Sequence, residues 1–170
     1  MEGYYVRPIP AGCRAHHLGN WRPTFRIKEP WTECKVGWRK FKTSCYKQLP
    51  YRGRGMDFRS GEQACNRNQG HIFVPKDRVE FMWVHDNVAR HNKWYWIGIF
   101  CGHGANLRNA YTVTGEDMRK RELGFKGNPR LNMHTWTCFL WLRNNKHWIR
   151  HLNIQNCKGP YGVICESPLE

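Results

Sequence analysis

A few residue groups in this chain have types and spacings that could do chemistry. His147 and His151 stand four positions apart, which on a helix would let both rings hold zinc. Beside Trp148 and Ile149 the segment reads as strand, where those positions lie about 13 Å apart. Surface histidine is therefore the reading, and His16-His17 is equally unspecific. Cys101 near His103 has the composition of a thiol and its base, but a disulfide fits the cysteine content better. Gly102-His103-Gly104 is followed by no phosphate-binding lysine, and no paired carboxylates or nucleophile motif stand out. We expect no enzyme, no cofactor and no bound metal.

Charge carries more information. The 28 Lys+Arg against 13 Asp+Glu give a formal net charge of +15. A field of that size attracts sulfated glycans, nucleic acid, anionic membranes or acidic proteins, and arginine suits two-point contact with sulfate, phosphate or carboxylate. The basic residues cluster as Arg52 with Arg54, as Arg119-Lys120-Arg121 with Lys126 and Arg130, and as Arg143, Lys146, Arg150 and Lys158. Between Cys138 and Cys157 there is no acid at all. No nucleic-acid motif accompanies the charge, so nucleic acid is not the expected partner.

The elements that must position these groups begin with the cysteines. Eight are present, without the C-x2-C pairs of zinc ribbons. So many in a modest chain indicate an oxidising compartment, and the expected location is secreted, extracellular or lumenal, with a leader removed. At 170 residues, with 40% apolar and 14% aromatic residues, the chain can bury one real core. No apolar run approaches the roughly 18 residues of a membrane span.

Residues 1–33 carry recurrent prolines without periodicity and read as an extended N-terminal arm, leaving 34–170 as the folded domain. Within it, Trp38–Tyr46 alternates like a strand hairpin tied by Cys34 and Cys45. Asp57 caps a first helix with Phe58, Gly61, Ala64 and Cys65 on one face, and Gly70 ends it. A strand at 71–74 follows. Pro75 opens a second helix carrying Val79, Phe81, Met82, Val84 and Val88. Residues 94–100 read as one buried strand and 101–137 as irregular. Strands close the chain around 138–141, 147–149 and 161–165. Trp96 and Trp148 are expected in the core, and Trp136, among polar neighbours, outside it.

Taken in order, these residues resemble the C-type lectin-like domain, over about residues 34 to 166. Gly37-Trp38, Phe41 and Cys45-Tyr46 are similar to its long-form opening hairpin, Ala64-Cys65 to its first helix and Glu80-Phe81 to its second. Trp96-Ile97-Gly98-Ile99 resembles the WIGL strand, Tyr111–Gly115 a degraded W-x-D-G segment, and Cys138, Cys157 and Ile164-Cys165-Glu166 the closing frame. The resemblance implies an α+β fold of two helices, small antiparallel sheets and a long irregular loop region, stapled by bonds Cys34–Cys45, Cys65–Cys165 and Cys138–Cys157. Cys13 and Cys101 remain; they join each other, which leaves no exposed thiol, or bond to a second chain.

Sugar-binding members of that family hold calcium with oxygens from the long loop and from an Asn-Asp after a strand tryptophan. Here the loop reads Asn128-Pro129-Arg130, with Pro129 a candidate cis proline, and the strand reads Trp148-Ile149-Arg150. Arginines stand where a cation would bind. A second family site uses glutamates matched by Glu80 and Glu166, while Val74 and Lys76 replace its other ligands. Two ligands make a weak site, so these glutamates are expected at the surface or ion-paired. The functional expectation is a calcium-independent recognition module for a protein partner or assembly, within a homo- or hetero-oligomer or alone. An anionic-glycan binder and a cationic toxin acting on acidic surfaces are the alternatives. Arg119, Lys120, Arg121, Arg130, Lys146 and Arg150 are the expected contacts.

Overall fold

The computed structural model describes residues 3–5, 25–27, 31–50, 55–90, 94–100, 102–103, 111–114, 136–142, 149–153 and 159–170. The elements run β1 (Gly3–Tyr5), β2 (Phe25–Ile27), β3 (Arg39–Phe41), β4 (Ser44–Gln48), α1 (Phe58–Arg67), β5 (His71–Ile72) and α2 (Arg78–Asn87). They continue β6 (Trp94–Trp96), β7 (Ile99–Phe100), β8 (Gly102–His103), β9 (Tyr111–Thr112), β10 (Trp136–Leu142), β11 (Ile149–Asn153) and β12 (Ile164–Pro168). Two four-stranded antiparallel sheets organise them. One has the order β3-β4-β12-β5, so the opening hairpin pairs with the last strand. The other has β11-β10-β6, with β8 also on β10. β1 pairs with β2, in a segment whose sequence showed no periodicity, and β7 pairs with β9.

Both helices begin where an aspartate caps them. Asp57 accepts from the Ser60 N–H at 2.9 Å, and Asp77 accepts from the Glu80 N–H at 2.8 Å. The second helix therefore opens at Asp77 rather than Pro75, and Val79, expected on its apolar face, is exposed. On α1 the buried positions are Phe58, Gly61, Glu62 and Cys65. Glu62, at i+4 from Phe58, takes the place expected for Ala64, which is half-buried. Nor does Gly70 end this helix: Asn68 caps it and Gln69 takes the left-handed conformation, with φ 57°.

The apolar run 94–100 is two short strands in different sheets. The break is at Gly98, whose N–H donates to Phe73 O and whose carbonyl accepts from Val113 N. A Cβ there would stand 2.3 Å from the Ile72 carbonyl oxygen. The expected strand 71–74 is likewise short, ending at Ile72, though Phe73 and Val74 remain buried.

The core lies between the helices and the sheets, around Phe58, Phe73, Phe81, Tyr95, Trp96 and Trp141. Trp96 meets Phe58 edge-on at 5.6 Å and gives its indole N–H to Met56 O. Trp141 stacks on Tyr95 at 4.6 Å. Cys34–Cys45 closes the hairpin, and Cys65–Cys165 ties α1 to β12 across 100 residues. Trp31, in the segment assigned to the arm, is buried and pairs with the C-terminal Leu169 and Glu170. No helix among the described residues is long and apolar enough to cross a membrane.

Candidate functional site

Where α2 meets the β3-β4-β12-β5 sheet, polar groups fill a gap in the core. Glu80 sits in the first turn of α2, and its Oε2 accepts from the backbone N–H of Lys76, the residue before the Asp77 cap, at 2.9 Å. Its Oε1 accepts a short hydrogen bond from the Tyr46 hydroxyl on β4. Glu166 projects from β12, and its Oε1 accepts from Ser44 Oγ at 3.1 Å. The Lys76 ammonium stands 3.7 Å from the same oxygen, and His71 Nε2 is 3.9 Å from Oε2.

Neither glutamate is a surface residue: Glu80 is 3% exposed and Glu166 2%. Of the two expected settings, surface or ion-paired, the first fails because partners from far along the chain enclose both glutamates, and the second holds for Glu166, which pairs with Lys76. Burial raises the Glu80 carboxyl above its ordinary value, and the neighbouring Glu166 adds to the rise. Burial likewise pushes the Tyr46 phenol up, so it stays a donor. Tyr46, Ser44 and His71 were not anticipated at this position.

This donor set does not fit calcium, which needs six to eight oxygens. Both Glu80 oxygens are engaged by hydrogen bonds, and an ammonium stands beside Glu166. No cluster of three metal-ligating side chains occurs among the described residues.

A third buried carboxylate, Glu62, accepts from the Ile72 N–H at 2.8 Å and from Asn66 at 2.8 Å. Burial raises its carboxyl too, with His71 pulling the other way. The signal for Glu62 was its place on the apolar face of α1.

Of the expected contact residues, Arg150 lies in β11, opposite Leu140 of β10. Arg119, Lys120, Arg121, Arg130 and Lys146 lie outside the described residues, as do Pro129 and Trp148. Cys138 sits on β10 opposite Leu152, while its expected partner Cys157 lies outside the described residues, with Cys13 and Cys101. No described cysteine is free.

The hairpin closed by the last strand, the two capped helices and the long tie from α1 to β12 form one arrangement. The sequence model of the lectin C-type domain matches residues 54–167. This chain belongs to the C-type lectin domain family. Three likenesses place it further. A perlucin-like protein of Mytilus galloprovincialis is 30% identical over 79 residues, covering 45% of this chain and 46% of that protein; the match spans less than half of either. The mouse scavenger receptor C-type lectin carbohydrate-recognition domain aligns at TM-score 0.61 and 17% identity, over 81% of this chain and 100% of that domain. A calcium-independent type II antifreeze protein aligns at TM-score 0.61 and 17% identity, over 80% of this chain and 95% of that one. At these identities the two structures share the lectin fold with this chain. C-type lectin domains are binding modules, and the two described disulfides suit an oxidising compartment.

Proposed function

We propose that this lectin domain is a secreted, non-enzymatic recognition module that binds an acidic protein partner or assembly without calcium, through a basic face. The contacts on that face are Arg119, Lys120, Arg121, Arg130, Lys146 and Arg150. The observation that carries the reading is the chain's own charge at cation positions. Lys76 stands 3.7 Å from Glu166 where the family's second site would lie, and Arg150 follows Trp148 where strand oxygens would be needed. Repulsion between like charges opposes calcium at both. The existence of a calcium-independent antifreeze protein with the same fold supports it.

Anionic-glycan binding is the second reading, favoured by the +15 net charge and its arginine content. One experiment separates the two: the chain is tested against sulfated polysaccharides and acidic proteins, with calcium, with chelator, and at two salt concentrations. Binding to acidic protein that survives chelator and weakens with salt is the expected result. Chelator-resistant, salt-sensitive binding confined to sulfated glycans establishes the second reading. Loss of all binding in chelator overturns both.

A further inference from the structure

A groove of about 360 Å³ opens between β3, β4 and the C-terminal end of α2, and it uses none of the six residues of the proposed basic face. Among the described residues its charged lining is Arg39, Lys47 and Arg90, with no carboxylate. Leu49, Pro50 and Val88 supply an apolar wall. Three separate segments converge here, and specific contacts hold them. Gln48 Oε1 accepts from the Arg90 N–H at 2.8 Å and from the Tyr95 hydroxyl at 2.9 Å, fixing the exit of α2 against β4. Gly37, with φ 87°, turns the chain beneath the Lys47 ammonium. Lys47 has no carboxylate partner among the described residues.

One local feature opposes an anion. The C-terminus of α2 carries the equivalent of about half a negative charge. Arg39 meets it directly, donating to Asn87 O at 3.0 Å. The remaining donors of its guanidinium fork and the full positive charge of Lys47 outweigh that half charge. Asp86, the nearest acid in sequence, pairs with His85 at 2.8 Å.

We infer that this groove is a binding site for an oxyanion ester, sulfate or phosphate, carried on a sugar ring. The guanidinium forks and the ammonium match the oxyanion, and the apolar wall offers a surface for the C–H face of the ring. The volume lies at the lower end of the roughly 300–1,000 Å³ of ligand pockets, which suits a ring or two rather than the cross-section of a polymer. A nucleobase would want an exposed aromatic platform, and among the described residues the one aromatic in the lining, Tyr46, is buried with its hydroxyl committed to Glu80.

The test is calorimetric titration of the full chain with a sulfated heparin-type disaccharide, with its desulfated counterpart, and with glucose 6-phosphate. Saturable binding of the sulfated disaccharide or of glucose 6-phosphate, without binding of the desulfated disaccharide, is expected, and the tighter of the two names the ester. Lys47→Glu should weaken it at least about tenfold, as a like charge replaces an attractive one. Arg90→Glu, at an exposed position, gives the same readout if Lys47→Glu lowers the melting temperature. Arg59→Glu, exposed on α1, is the charge-matched control and should leave binding within about twofold. Absence of saturable binding overturns the inference. Equal weakening in Arg59→Glu also overturns it, because the net charge rather than the groove would then hold the anion.

Discussion

The Lys76 ammonium lies 3.7 Å from Oε1 of Glu166, a carboxylate only 2% exposed, while Lys76 itself is about half exposed. A buried carboxylate that loses its cation costs several kcal/mol. Solvent around Lys76 screens the pair, so its loss should cost less. We expect Lys76→Met to destabilise the domain by about 1–2 kcal/mol, which lowers the melting temperature by roughly 2–8 °C for a chain of this size. Calcium and chelator should leave the wild-type melting temperature unchanged. Thermal melts of both proteins in both conditions check this; a calcium-dependent rise in the wild type would refute it.

Stability should also depend on pH in an unusual direction. Burial holds the Glu62 and Glu80 carboxyls above their ordinary 4.5. Both shifts favour the protonated folded form. The stability they contribute is complete below 4.5 and is lost as pH rises through the raised folded values, with a slope of up to about 1.4 kcal/mol per pH unit for one group. Protonating exposed acids works the other way, because it adds to a net charge already at +15. Comparison with Glu62→Gln isolates the buried term. Urea denaturation across pH 4 to 7 should show the variant losing less stability than the wild type as pH rises, and parallel profiles would remove Glu62 from the account.

Sequence made the Cys34–Cys45 hairpin tie, the Asp57 cap and the apolar strands legible, because each is a local pattern, whereas the Cys65–Cys165 bond, across 100 residues, was legible only through the family resemblance. Asp57 marks its helix within four residues, and Trp94–Phe100 is apolar on its face. What stayed hidden depends on distant partners. Tyr46 and Glu80 are 34 positions apart, and Ser44 and Glu166 are 122 apart. Nothing near Glu80 or Glu166 announces that they will be enclosed. The break at Gly98 is set by Phe73 and Val113, so a continuous apolar run gave no warning of it. The groove has the same character: Arg39, Lys47 and Arg90 read as scattered surface charge until the sheet and α2 bring them together. For the basic loop the candidate contacts were chosen by charge and resemblance alone, and of those six only Arg150 falls within the described residues.

The two described disulfides should differ in worth. Cys65–Cys165 closes 100 residues and Cys34–Cys45 closes 11. In the chain-entropy account the first is worth about 4–5 kcal/mol and the second about 3. The first also lies in the core, both sulfurs belonging to fully buried residues. The double variant Cys65→Ala/Cys165→Ala should therefore lose more stability than Cys34→Ala/Cys45→Ala. For a domain with a typical 5–15 kcal/mol of net stability the larger loss approaches unfolding. Chemical denaturation of the two variants decides it, and an equal or reversed order would contradict the loop-length argument.

Reversing charge at Arg130 and Arg150 tests the proposed basic face. Arg150 occupies β11, which pairs with β10 through backbone hydrogen bonds. The double variant Arg130→Glu/Arg150→Glu should keep the wild-type far-ultraviolet spectrum and lose at least about tenfold in affinity for an acidic partner, because attraction becomes repulsion at two contacts. The remaining affinity should fall less steeply with added salt, since fewer charges are left to screen. Unchanged affinity with an intact fold would move the partner site off this face; one remaining candidate is then the groove at Arg39, Lys47 and Arg90, where Lys47→Glu gives the deciding comparison.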